Sequence, residues 1–382
     1  MAGSDTSDTS GTTPATKVVG AGAGAGAAGA GANEHDRIVT VLDPEDEYPH
    51  VPDEAENYNE SMYLNAFDLE QEIGGWFRLG NRVNEGYAEM SVCLYLPGGR
   101  VGFMFDRPKI TTNERMSAGG LTIEVVEPFE HLTVSFDGRV CVLDDPSEMN
   151  DPRTAFRENP IVDCSVRLEF RGVSPMYGGR PQYADGREIE VEPGTSFAKA
   201  HYEQHCSVTG TIEVAASSEG GAGDSLVIDG LGLRDKSWGP RYWQALTWYR
   251  WLPMVFGPDF AMMISVIDRG EGKPPRQGGM VLVGDEYHQI RECSVDAEWN
   301  ERGEQSAMRC RATTDHAEYD VTGEVISMIP LRNRRTTPDG EQLFTRITEA
   351  MTRFECDGRT GIGMSEFLDQ VVDGWPIGVP QG

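Results

Sequence analysis

The run IVDCSVRLEFRGV, residues 161–173, constrains this chain more than any other stretch. Val162, Cys164, Val166, Leu168 and Phe170 alternate with Asp163, Ser165, Arg167, Glu169 and Arg171. Apolar side chains at every second position fit a strand with one face on a core; a helix would need them at every third or fourth. The pattern recurs. EMSVCLYL (89–96), a Pro97-Gly98-Gly99 turn and RVGFMFDR read as a hairpin, and HLTVSFDGRVCVL (131–143) reads as a second, with Asp137-Gly138 at its turn. HYEQHCSVTGTIEV (201–214), FAMMISVID, GGMVLVGDEYHQI and LFTRITEAMTRFECDGRTGIGMSEFLDQV continue it, and long helical periodicity is scarce. Many short strands with Gly, Asp and Pro turns predict an all-β chain of sandwiches or barrels.

Length then sets the organisation. The 382 residues exceed one small barrel and predict two antiparallel barrel-like domains packed side by side. Residues 1–36 read as a disordered tail, because thirteen of the sixteen residues of KVVGAGAGAGAAGAGA (17–32) are glycine or alanine and the run lacks the bulky apolar core of a secretory signal. Domains are expected at 37–197 and 198–382. YADGREIEVEPGTS (183–196) is either the connection between them or an excursion within one.

Charge and cysteine usage exclude several classes. With 62 acidic against 33 basic residues, the net charge of −29 opposes a nucleic-acid partner and adhesion to anionic membranes. No run approaches the roughly 18 apolar residues of a spanning helix, so no membrane insertion is expected. The seven cysteines are scattered, odd in number and without a C-x-x-C pair. They read as reduced core thiols of a cytoplasmic protein. His201 and His205 form H-x-x-x-H, but four residues along a strand span about 13 Å, too far to chelate one ion. They are expected to face a shared cavity or solvent, and no metal is predicted. No G-x-S-x-G elbow is present, and Gly-rich stretches such as GLGLRD (230–235) neither match G-x-G-x-x-G nor sit in a βαβ pattern, so no nucleotide or other organic cofactor is predicted.

The densest chemistry lies in GLRDKSWGPRYWQ, residues 232–244. Four of the seven tryptophans, Trp238, Trp243, Trp248 and Trp251, fall between 226 and 257. Two readings stand side by side. In one, the aromatics plug the end of a barrel and Arg–Asp pairs tie down a loop. In the other, a desolvated carboxyl group donates a proton while indole faces stabilise positive charge, as protonation of an alkene requires. The same pocket would equally bind a long apolar ligand.

This segment resembles the R-D-H-S-W-G-x-R-x-W signature of the carotenoid 1,2-hydratase (hydroxyneurosporene synthase) and AttH-like proteins. YEQHCSVTGTI (202–212), DGRTGIGMSEF (357–367) and NESMYLNAFDLEQEIGGWFRLGNRVNEGYAEM (59–90) resemble flanking family segments. The resemblance implies two lipocalin-like, calycin-type barrels and a hydrophobic small-molecule partner, isoprenoid, steroid or polyketide-like. It also implies cofactor-independent chemistry such as hydration of an alkene. Asp235 matches the signature Asp, Trp238 its Trp and Arg241 its second Arg, whereas Lys236 replaces the signature His. The downstream Tyr-x-Asp is replaced by Met263 and Ser265, with Asp268 nearby. The expected site therefore has Asp235, Trp238 and Lys236 as catalytic candidates. Arg234, Arg241, Tyr242, Trp243, Trp248, His201 and His205 are the candidates for binding substrate. A hydratase-like lyase is favoured, with a non-catalytic carrier of an apolar ligand as the alternative.

Overall fold

The computed structural model describes residues 37–189, 198–217, 223–242, 246–270, 272–336 and 340–381. The expected tail and Trp243 lie outside the described residues. Among those residues the fold is all-β: a 12-stranded and a 10-stranded sheet, antiparallel throughout, with one short α-helix at Pro152–Glu158. No helix among them is long and apolar enough to cross a membrane.

In the first sheet Tyr58–Asp68, Ile73–Arg82, Tyr87–Tyr95, Val101–Asp106 and His131–Leu143 lie in succession. Ile161–Gly172 pairs with His131–Leu143 on one side and Ala200–Val214 on the other. Ala200–Val214 pairs with Asp224–Pro240, which returns to Tyr58–Asp68. The hydrogen bonding thus closes a barrel filled by Leu64, Phe77, Val92, Phe136, Val166 and Phe170. The second sheet wraps its own core of Leu252, Met262, Ile264, Phe354 and Phe367.

Two expectations are corrected here. The division at 197/198 does not coincide with the sheets, because Ala200–Val214 and Asp224–Pro240 complete the first barrel and the second sheet begins with Trp248–Gly257. Alternation identifies a strand but not its partner. Likewise, Asp137-Gly138 makes no turn: His131–Leu143 is one continuous strand paired along its length with Ile161–Gly172. The other hairpin forms as read, with Gly98 and Gly99 at φ +79° in its turn.

The strand at 161–172 buries every second residue, as its sequence predicts. Tyr58–Asp68 is instead buried on both faces. Its inner face lines the barrel, while its outer face packs on the second sheet, where Tyr63, Phe67 and Trp76 meet Ile329, Met351 and Met364. All seven cysteines are buried and free.

Candidate functional site

Side chains on a strand point alternately to its two faces, and this parity divides the sequence motif. Arg234, Lys236 and Trp238 turn into the first barrel, while Leu233, Asp235 and Ser237 turn toward the second sheet. Arg234 therefore does not pair with Asp235. Its Nη1 meets Glu47 Oε2 at 2.6 Å and its Nε donates to Gln204 Oε1 at 2.8 Å. Lys236 Nζ lies 2.9 Å from Glu60 Oε1 and donates to the Asp46 and Tyr48 carbonyls at 2.7 Å. Burial lowers the Lys236 pKa against the pull of Glu60. Trp238 stacks on His50 at 4.1 Å, and the Pro44–Glu47 turn supplies Glu47 to the same barrel end. Burial alone would raise Glu60, but hydrogen bonding from His50 and the charge on Lys236 bring it down to about 2. Every acid in this inner group has a cation.

The outer face is different. Asp235 lies directly opposite Glu203 in the register and forms a close ion pair with His201 Nε2. Burial would lower the His201 pKa, but the charge and hydrogen bond of Asp235, with Glu203, drive it up to about 9. Glu203 is fully buried. Its Oε1 accepts from Trp251 Nε1 of the second sheet at 2.9 Å and stands 3.7 Å from His201 Nε2, while Oε2 has no partner. Burial, then the charge of Asp235, raises the Glu203 pKa despite the neighbouring histidine. His201 is 47 % exposed, so the group opens to solvent.

From Trp251 the cluster continues across the second sheet. Trp251 is opposite Glu366, and Glu366 is opposite Glu349. Burial pushes Glu349 up to about 8; burial and then Asp235 push Glu366 to about 8. The Tyr249 hydroxyl donates to Glu366. Above them Tyr63 meets Trp251 edge-on at 5.5 Å and stacks with Trp76 at 5.9 Å. The arrangement is a row of desolvated carboxyl groups held largely as neutral acids beneath an aromatic wall. Such a group can deliver a proton near neutral pH.

The remaining sequence candidates scatter. Arg241 is buried and donates to Ser237 Oγ at 2.5 Å. Tyr242 is half-buried just past the strand end. Trp248 belongs to the second sheet, 4.9 Å from the Arg250 guanidinium, and lines a separate cavity of about 210 Å³. His205 points to the same face as His201 but is fully buried, with Nδ1 2.8 Å from the Tyr287 hydroxyl, and burial takes its pKa down to about 4. Among the described residues, His201, Glu203 and Asp235 are the one group that brings three metal-ligand atoms within 4.8 Å of one another.

Sequence reasoning did not single out Glu203, Glu349, Glu366 or Tyr63, and noted Trp251 only as a member of the tryptophan cluster. A signal was present for two of them. Glu349 shares the strand parity of Ile347 and Met351, and Glu366 that of Met364 and Leu368. A carboxyl group in an apolar register is a buried acid waiting for an explanation.

The family described as Domain of unknown function (DUF7064) matches residues 43–371. No curated protein matches the sequence. Solved structures match the fold. CghA with Sch210972 aligns at TM-score 0.50 and 12 % identity, over 82 % of this chain and 88 % of that one. The AttH-like protein NE1406 from Nitrosomonas europaea aligns at TM-score 0.48 and 13 % identity, over 87 % and 98 %. Kievitone hydratase from Nectria haematococca aligns at TM-score 0.47 and 8 % identity, over 82 % and 89 %. At these identities the likeness concerns the two-barrel, lipocalin-type fold alone.

Proposed function

From the premise that this chain belongs to the family described as Domain of unknown function (DUF7064), we propose that it adds water to an alkene of a hydrophobic, isoprenoid-like or polycyclic substrate. The observation that carries this reading is Glu203: a fully buried carboxyl group, steered by Trp251 through one oxygen, with its other oxygen unpartnered beside the Asp235–His201 pair. Two carboxyl groups side by side take two roles here. The charge of Asp235 drives the His201 pKa up and helps keep Glu203 protonated.

In the proposed reaction Glu203 gives its proton to one alkene carbon. The cation formed at the other carbon faces the Tyr63 and Trp251 rings, whose quadrupoles favour positive charge. The oxygen of a water molecule bonds to that carbon, and its proton returns to the Glu203 carboxylate, restoring the acid. Asp235, the sequence candidate, orients and tunes the donor rather than donating itself. Names of structural relatives, a hydratase among them, agree with this chemistry without carrying it.

The test is incubation with squalene and a panel of isoprenoid and steroid alkenes in oxygen-18 water, read by mass spectrometry. Label is expected in a product heavier by one water with wild type, and is lost in Glu203→Gln. Tight binding of the panel with no incorporation would replace the enzyme reading by a carrier.

A further inference from the structure

Beside the acid row lies a cluster with the opposite deficit. Arg78, Gly80 and Arg82 share one side of Ile73–Arg82, the side facing Tyr63 and Ser61 of the neighbouring strand. Arg78 Nη2, Arg82 Nη1 and both side-chain amide atoms of Asn59 are buried and make no hydrogen bond. Arg82 is 2 % exposed and Asn59 fully buried. A Cβ on Gly80 would stand 2.9 Å from Arg78 Nη2 and 3.0 Å from Asn59 Oδ1, so both groups converge closely beside the glycine and a side chain there would displace them. Arg241 joins them. Burial, then the charges of Arg78 and Arg82, brings its pKa down to about 9.

Of the nearby acids, Glu89 and Glu85 are already engaged. Glu89 accepts from Arg78 at 3.3 Å and Arg107 at 3.5 Å, and Glu85 pairs with Arg82 Nε. A guanidinium carries five donors and no acceptor, so its orphaned N–H groups suit an anionic acceptor supplied by a ligand. The cluster also borders the acid row. Arg78 is directly opposite Tyr63, and its charge acts on Glu349 and Glu366.

We infer that Arg78, Arg82 and Asn59, with Arg241 behind them, form an anion subsite that takes the carboxylate or phosphate head of an otherwise apolar ligand lying along Tyr63 and Trp251. The inference rests on the reading of the acid row as the reaction site and adds the class of substrate. A planar fork of N–H donors suits both heads, and the pairing is charge-assisted.

Tryptophan-fluorescence titration of the full chain with farnesoic acid, methyl farnesoate and farnesyl phosphate tests it. At least one anion is expected to bind about ten-fold or more tightly than the neutral ester, with salt weakening the anion alone. Arg78→Gln and Arg82→Gln are each expected to shrink that gap while circular dichroism reports an intact fold. Arg78 is the more exposed of the two and serves if Arg82→Gln fails to fold. Stronger binding of the phosphate assigns a phosphate head, and stronger binding of the acid a carboxylate. Equal affinity for both anions and the ester in wild type, or no binding of any of the three, overturns the subsite. The preference is read without turnover. A preference lacking oxygen-18 incorporation would retain the subsite and remove hydration, and incorporation lacking a preference would do the reverse.

Discussion

On the inner face of Asp224–Pro240, Glu60 meets Lys236 at 2.9 Å and Glu47 meets Arg234 at 2.6 Å. One residue along, on the outer face, Asp235 borders Glu203, and Glu366 and Glu349 follow without an ion pair among the described residues. Both sets are deeply buried, yet Glu60 sits at about 2 and Glu349 at about 8. Burial penalises a lone charge, and a hydrogen-bonded cation more than offsets that penalty. The inner face uses the offset to hold the end of a barrel together. Beyond the Asp235–His201 pair, Glu349 and Glu366 lack that offset and so keep protons that a reaction can use.

The comparison breaks hardest at Glu60. Glu60→Ala strands the Lys236 ammonium, and loss of one partner of a buried pair costs about 3–5 kcal/mol. A lowered thermal midpoint and an earlier denaturant midpoint are expected, and an unchanged midpoint would mean that the inner network adds nothing. Glu203→Gln should do the opposite, keeping the melting curve and losing about a hundred-fold or more in label incorporation.

The two faces also predict opposite responses to pH. The folded-state pKa of Glu60 is depressed, so its contribution is present above the ordinary carboxylate value and is lost as pH falls toward about 2. That of Glu349 is raised: the unfolded chain ionises it near pH 4, while the folded chain holds the proton until about 8. Wild type therefore loses stability from Glu349 as pH climbs through that window. Glu349→Gln removes the loss, so its advantage over wild type in denaturant unfolding should be larger at pH 8 than at pH 5. A difference that does not change with pH would contradict the neutral-acid assignment. The smallest effect is expected at Trp238→Phe. Weaker stacking on His50 should cost about 1 kcal/mol and leave label incorporation intact, because the ring lies on the inner face.

How much of this was legible beforehand differs from strand to strand. Ile161–Gly172 displays its alternation openly, because one face meets the core and the other meets water. Tyr58–Asp68 reads YNESMYLNAFD and is buried throughout, a burial that no hydropathy pattern announces. Its Asn59, Glu60 and Asn65 are inside because a second sheet and an ionic network cover them. The motif at 232–244 was visible as a concentration of charge and indole, but as one cluster. Strand parity makes it two.

Sequence by itself determined the strand content and the presence of Asp235 beside unusual aromatics. These are local consequences of a two-residue period and of side-chain chemistry. Only the tertiary structure decided that Ala200–Val214 and Asp224–Pro240 close the first barrel, since a hydrogen-bonding edge is the same whatever strand it meets. It alone brought Glu203, Glu349 and Glu366 under Trp251 and Tyr63, because their pKa values depend on what excludes water from them and which charges stand nearby. Neither is encoded within any single strand.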